Sequence, residues 1–360
     1  MLYQLIHPLL NQFKYITFRA GIAAVGAFLL CVILMPSLIR YLKSRKISER
    51  TDKKDSEKLK QMHLTKANTP TMGGIVVILI VLLLTVLLAR LDDIFVINTI
   101  LAVLGLALLG YWDDLIKLRS AKSGVSKSFK LLCQGIIGLA VGIGFYMYFQ
   151  KYLPSGTQLH IPIFKETIEL GIFYPVFAAL VIVASSNAVN LTDGLDGLVT
   201  GCLLIAGLAY LVMVYISGRM DYTAYLNVPY VPGSGELTIF AAAMVGSCLA
   251  FLWFNGFPAE IFMGNVGAVP LGGALGMLAL ASKQELVLFL VGAIFVMEAL
   301  SVLLQVLSFR TTGKRIFKIA PLHHHYEFNG WSEPKIVLRF WIAAAVIALI
   351  ALAMLKIEVF

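Results

Sequence analysis

Asn187-Ala188-Val189-Asn190-Leu191-Thr192-Asp193-Gly194-Leu195-Asp196-Gly197 joins two apolar runs, 171–187 and 197–217, and sets two carboxylates and two amides among glycines between them. Carboxylates beside a bilayer are costly unless they face a cation, a polar ligand or water. Glycine lets a backbone come close to something bulky. The stretch therefore reads as part of a site. Asp113-Asp114 and His323-His324-His325 join it, provided all three lie on one side of a membrane.

Composition assigns the class. Hydrophobic residues make up 59% of the 360, charged ones 14%, and the mean hydropathy is +0.86, whereas soluble domains carry roughly a quarter charged residues. The chain reads as an all-α integral membrane protein, a single polytopic domain over 1–360. A helical span needs about 20 apolar residues. Ten segments qualify, near 18–40, 73–90, 94–112, 129–149, 171–187, 197–217, 236–254, 266–281, 285–309 and 336–356, the eighth with the weakest signal. No basic region, apolar core and small-residue cleavage site open the chain, so no removable signal peptide is expected, and residues 1–17 read as an interfacial helix. Cys31, Cys133, Cys202 and Cys248 fall inside apolar spans at unrelated spacings, which argues against a disulfide frame or a thiolate metal site.

Ten Lys/Arg fall in 40–70, five in 113–130 and six in 310–339, out of 29 in the chain. The positive-inside rule puts these three loops in the cytoplasm and both termini outside. The net charge of +9 then serves topology and anionic headgroups rather than nucleic acid, since no basic stripe with interleaved aromatics is present. Odd-numbered spans all exit on the cytoplasmic face: Asp113-Asp114 end the third, Asp193 and Asp196 follow the fifth, Phe262-Met263-Gly264-Asn265 the seventh, and the histidines the ninth. Outside connections carry no such cluster; 150–170 reads as a small hairpin and 218–235 as a short amphipathic piece.

Two adjacent carboxylates at a helix C-terminus meet an already negative dipole, which favours a neutralising cation. Mg²⁺ suits them, because it takes one or two carboxylates and completes its shell with water and substrate phosphates; a plain helix stop at the headgroups is the alternative. Thr71-Met72-Gly73-Gly74, Thr192-Asp193-Gly194 and Gly264-Asn265-Val266-Gly267 open spans two, six and eight on the same face. Helix N-termini of this kind are ready anion sites, and Lys66 and Lys130 add positive charge. Three consecutive imidazoles point in different directions and cannot share one metal, so contact of one or two with a phosphate or carboxylate is expected. No His or Cys set elsewhere completes a zinc site. Glu298 and Gln305 lie seven apart on one face of span nine. An intramembrane glutamate is a functional candidate, with a buried structural hydrogen bond as the other reading. Gly138/Gly142 and Gly272-Gly273/Gly276 read as close helix packing.

Thr69-Pro-Thr-Met-Gly-Gly74, Trp112-Asp-Asp114, the 187–197 stretch, Phe251-Leu-Trp-Phe-Asn255, Phe262-Met-Gly264 and Ala320-Pro-Leu-His-His-His-Tyr-Glu327 together resemble the phospho-N-acetylmuramoyl-pentapeptide transferases, a branch of the polyprenyl-phosphate sugar-1-phosphate transferases. The likeness runs in order over essentially the whole chain. It implies transfer of phospho-MurNAc-pentapeptide from UDP-MurNAc-pentapeptide to undecaprenyl phosphate with Mg²⁺, giving lipid I and UMP at the inner leaflet of the bacterial cytoplasmic membrane. It also implies a homodimer and a broken, tilted ninth span. By motif position, Asp113, Asp114 and His324 would be catalytic, with Asp113 either a base or a nucleophile. Asp193, Gly194, Leu195, Asp196, Asn255, Phe262 and Gln305 would line the uridine side, and Lys66, Thr71, Lys130, Asn187, Asn190, His323 and His325 the rest of the substrate. Position 265, Asp114 and Asp193 would hold the metal.

The family pattern Phe-Met-Gly-Asp-x-Gly-Ser stands here as Phe262-Met-Gly-Asn265-Val-Gly-Ala268, followed by Pro270, so an amide replaces the principal metal carboxylate. A catalytically weakened paralogue acting as a binding or assembly partner is the reading this favours against the transferase. A secondary transporter would instead gather ionisable groups at the membrane midplane, where only Glu298 falls. The orientation is directly testable: in a background free of the native cysteines, T312C should react with impermeant reagents only once the inner face is opened, and S155C should react from outside. Equal labelling of both from outside would contradict the shared cytoplasmic face.

Overall fold

The computed structural model describes residues 11–45, 47–48, 66, 68–119, 124–162 and 166–356. Helices occupy all ten expected segments: α1 (Ile16–Ser44), α2 (Gly74–Leu88), α3 (Ile94–Arg119), α4 (Lys127–Tyr152), α5 (Tyr174–Thr192), α6 (Leu198–Ser217), α7 (Leu237–Asn255), α8 (Asn265–Ala281), α9 (Ala293–Thr312) and α10 (Glu333–Met354). Lipid offers no partner to an open N–H or C=O, so runs this apolar close their hydrogen bonds within a helix. Most of the basic 40–70 stretch, and residues 1–10 of the expected interfacial helix, lie outside the described residues; Asn11–Lys14 form a single 3-10 turn.

Eight of the ten are long and apolar enough to cross a membrane. The exceptions are α2, with 15 residues, and α8, with 17. For α8 the reason is its place: all 17 residues are buried, enclosed by α2, α3, α5 and α6, so it runs through protein rather than lipid. Small residues permit this. A Cβ on Gly272 would fall 2.7 Å from the Ser185 carbonyl oxygen of α5, and one on Gly276 2.5 Å from Ser185 Oγ. Gly138 and Gly142 of α4 approach Ala179 and Pro175 of α5 in the same way, so both close-packing expectations hold. The outer shell keeps apolar side chains exposed, such as Ile33 of α1, Ile136 of α4 and Leu303 of α9, as a lipid-facing surface requires.

One boundary differs from expectation, and the expected break in span nine is present. Helix α3 runs on to Arg119, so Asp113 and Asp114 lie inside its final turns instead of ending it; Lys117 and Arg119 in the last turn offset the dipole there. Span nine opens with a short turn of helix, Leu288–Val291, breaks at Gly292, and continues as α9 to Thr312. The connection after α4 holds the expected hairpin, β1 (Gln158–His160) antiparallel to β2 (Thr167–Glu169) with Leu159 opposite Ile168. Met220–Leu226 forms the short helix after α6.

At the hairpin end of the bundle Arg19 of α1, 1% exposed, donates to Glu236 Oε1 and Oε2 at 2.7 and 2.8 Å and to the Leu88 carbonyl at 2.9 Å. Arg90 N donates to the same carboxylate at 3.1 Å, so one buried pair ties α1, the α2–α3 turn and the start of α7. Glu236→Ala removes the counter-charge of the buried guanidinium and should cost about 3–5 kcal/mol, read as a lowered thermal midpoint of the purified protein. Asp92→Ala, which removes the exposed partner of Arg90 at 2.8 Å, should cost less than about 1 kcal/mol. Equal shifts in the two variants would contradict a structural role for the buried pair.

Candidate active site

The site is assembled where the end of α3 meets the start of α8. Asp113 and Asp114 are 3% and 6% exposed. Gly110, one turn before them, lets the two backbones touch, since a Cβ there would fall 2.3 Å from the Asn265 carbonyl oxygen. Asn265, the first residue of α8, donates its amide Nδ2 to Asp113 Oδ2, and Val266 N donates to Asp114 Oδ2 at 3.0 Å. Asp113 Oδ1 accepts from Val125 N at 2.7 Å, while Lys117 Nζ and Lys130 Nζ stand 2.9 and 3.7 Å from its Oδ2. The turn into α8 depends on Gly264, at φ 74° and ψ 171°, a region essentially closed to other residues. A Cβ there would also crowd Asp114 Oδ2 at 2.9 Å.

A backbone strip links this centre to the start of α2. Phe262 N donates to Pro70 O at 2.8 Å, Gly73 N to Phe262 O at 2.8 Å, and Gly74 N to Met263 O at 3.0 Å. The amides expected to bind an anion at the starts of α2 and α8 are thus spent inside the protein, the latter on Asp114, because buried N–H groups must be paired. Thr71 lies on this strip, its Oγ1 beside Gly264, and Phe262 is half-buried at its edge. Asn255 braces the same turn: its Oδ1 accepts from Thr200 Oγ1 at 2.7 Å and its Nδ2 donates to Ile261 O at 2.9 Å.

Beyond the strip lies a second charged group. Lys66 Nζ donates to Asp196 Oδ1 at 2.7 Å and to Glu333 Oε1 at 2.5 Å. Asp196 Oδ2 accepts from Ala259 N at 2.9 Å, and Asp196 N donates to Glu333 Oε1 at 2.6 Å. Asn190 and Asp193 are half-buried at the end of α5, Leu195 is buried, and Asn187 spends its Nδ2 on Gln134 Oε1 and Val183 O at 2.8 Å each.

The histidines sit on a short helix, Leu322–Phe328, where the rings of His323 and His324 meet edge-on with centroids 4.2 Å apart and only His325 turns away, onto Phe317. His323, 1% exposed, places both its N and its Nδ1 3.1 Å from the Glu298 carboxylate. Its Nε2 has no partner among the described residues and points at Gly194, where a Cβ would lie 2.3 Å away. His324 Nδ1 is 2.6 Å from Glu327 Oε2, and His325 Nδ1 accepts from Lys318 N at 3.2 Å. Gln305 Oε1 accepts from Ile316 N and Phe317 N at 3.1 and 2.9 Å, and its Nε2 donates to Phe317 O at 3.1 Å. Glu298 and Gln305 therefore share a face that pins 316–323 to α9, and Glu298 makes the buried structural hydrogen bond.

Three contributors were not singled out from sequence: Lys117, Val125 N and Glu333. For Lys117 the signal was its spacing, one turn after Asp113. Among the described residues no group of three or more His, Cys, Asp or Glu is placed to hold a metal ion. Asp113 and Asp114 still offer two carboxylates of the kind Mg²⁺ accepts when water and substrate phosphates complete its shell, while Asn265 turns its amide nitrogen to Asp113.

A helical membrane bundle with a dicarboxylate mouth defines a class, and the chain matches the model of glycosyl transferase family 4 over residues 96–283. Residues 66–78, which carry Lys66, Thr71 and the α2 glycines, match signature 1 of the phospho-N-acetylmuramoyl-pentapeptide-transferases. Relatives of that name from Thermodesulfovibrio yellowstonii and Citrifermentans bemidjiense are 47% and 46% identical over 367 residues, covering 99% of this chain and 100% and 99% of theirs. One from Rickettsia felis is 46% identical over 369 residues, covering 99% of this chain and all of its own. The chain belongs to the phospho-N-acetylmuramoyl-pentapeptide-transferase family, multi-pass proteins of the bacterial inner membrane that act in peptidoglycan synthesis.

The contact of Gly194 with His323 yields a prediction that needs no substrate. Gly194→Ala overfills the space and should cost about 1–3 kcal/mol of stability, and His323→Ala should remove most of that cost when combined with it. Strictly additive thermal shifts in the double variant would contradict the contact.

Proposed function

We propose that this protein transfers phospho-MurNAc-pentapeptide from UDP-MurNAc-pentapeptide to undecaprenyl phosphate, forming undecaprenyl-diphospho-MurNAc-pentapeptide (lipid I) and UMP. The reaction takes place at the cytoplasmic mouth of a single ten-span domain with both termini outside, working as a homodimer. One observation carries the reading above the others: in a full-length match to the family, Asp113 and Asp114 lie buried together, with two lysines facing Asp113.

An oxygen of the lipid phosphate attacks the sugar-linked phosphorus; a new P–O bond forms and the bond to the UMP oxygen breaks. The attacking phosphate has a second pKa of about 6 and is already largely dianionic at neutral pH. Alignment and charge neutralisation therefore matter more than a strong base. Asp113, with donors on both oxygens, holds Lys117 and Lys130 at the mouth, where their ammonium groups meet incoming phosphates. Lys66 supports the nucleotide diphosphate, the 193–196 turn with Asn255 and Phe262 forms the uridine side, and His324 contributes at the reacting end. Mg²⁺ would be held by Asp114 and the Asn265 carbonyl, with Asp113 or Asp193 beside them, and would supply further positive charge to the phosphates. Asn265 is the specific observation behind a second reading, a weakened paralogue that binds the substrates without turning them over.

Release of UMP from the two substrates by the purified protein tests the proposal; binding of both without release would favour the second reading. Asp113→Asn and Asp114→Asn should each reduce transfer by at least about a hundredfold, compared at a temperature where the melting curve shows each variant folded. Near-normal turnover in either would demote that residue to a helix-end support.

A further inference from the structure

We propose that Glu333 is a positioning residue for the nucleotide substrate, setting Lys66 and the Asp196 turn in register from the first residue of α10. The proposal rests on the reading of Lys66 and Asp196 as substrate contacts, and it goes beyond that reading by naming what holds them. Glu333 Oε1 is the one acceptor shared by the two: it takes Lys66 Nζ at 2.5 Å and Asp196 N at 2.6 Å. Lys66 closes the ring on Asp196 Oδ1 at 2.7 Å, and Ala259 N occupies Asp196 Oδ2 at 2.9 Å. The partners are separated by 267 and 137 residues in sequence, so the ring ties the segment before α2, the α5–α6 turn and the α7–α8 connection to α10.

The geometry gives the ring a function in binding. An ammonium has three N–H donors. Two of those on Lys66 are committed to Asp196 and Glu333, so its direction is set before substrate arrives and the third remains for a phosphate oxygen. Side chains at the ring are largely enclosed, with Lys66, Asp196 and Glu333 at 14%, 2% and 11% exposure, so solvent screens these bonds little. A long, flexible lysine otherwise has to be ordered at the expense of binding free energy. Asp196 N is fixed by the same oxygen, and its side chain then meets the uridine side in one conformation.

Calorimetric titration of UDP-MurNAc-pentapeptide into the detergent-purified full-length protein reads this without turnover. Glu333→Ala should raise the Kd about tenfold, the loss expected for a charged hydrogen bond, while Glu333→Gln, which keeps an oxygen for both donors, stays within about threefold of the parent. The KM for undecaprenyl phosphate should be unchanged in both. If Glu333→Ala does not yield folded protein, Glu333→Asp takes its place: one methylene shorter, it cannot reach both donors and should show the same rise. An unchanged Kd in the alanine or aspartate variant would overturn the proposal, as would a glutamine variant as weak as alanine. A parent that binds the nucleotide without releasing UMP would sink the transferase reading and leave this one standing. A parent that does not bind it would sink both.

Discussion

Neutralising two adjacent carboxylates inside a membrane protein is the constraint on which the rest of this structure turns. Asp113 and Asp114 are buried where α3 crosses the start of α8, and uncompensated charge there would cost several kcal/mol. The compensation comes from four directions: Lys117 on the same helix, Lys130 on α4, Val125 N in the α3–α4 connection, and Asn265 with Val266 N at the head of α8. To deliver that head, α8 has to lie within the bundle, which explains its small residues, its complete burial and its short length. The glycine turn at 264 and the strip joining 70–74 to 262–263 follow from the same need.

On the proposed function, the same compensation prepares the mouth for phosphates. With an amide at position 265, both ammonium groups and the Asn265 amide face Asp113, and Asp114 is met by the Val266 N–H. Incoming phosphates then meet lysines whose positions are fixed by Asp113. Metal, if recruited through Asp114 and Asn265, is drawn by one charge fewer, so half-saturation should need a higher concentration.

Much of this was legible in the chain before any coordinates. Apolar runs of about 20 residues mark helices because lipid leaves the backbone no alternative, and the 187–197 stretch and Asp113-Asp114 are too polar to be connectors. Legibility failed where a contact is tertiary. Glu333 reads as an ordinary acidic residue in a first helical turn, and only folding brings it to Lys66, 267 residues away. Hydropathy ends span three before the helix does, because Leu115–Arg119 mixes apolar and basic residues, which end a membrane run yet continue a helix. The amides at the starts of α2 and α8 looked open because sequence shows a helix N-terminus but not the strand of backbone or the carboxylate that occupies it.

Position 265 decides how the mouth meets a metal ion. The Mg²⁺ dependence of UMP release should be measured for the parent and for Asn265→Asp under identical substrate concentrations. A carboxylate 4 Å from the ion adds about 4 kcal/mol of Coulomb attraction per unit charge product at an effective dielectric of 20, before desolvation is subtracted. The parent is therefore predicted to release UMP only at raised Mg²⁺, with the aspartate variant reaching half-maximal rate at clearly lower concentration. Identical midpoints would show that Asn265 does not face the ion, and would contradict the picture of a mouth one carboxylate short.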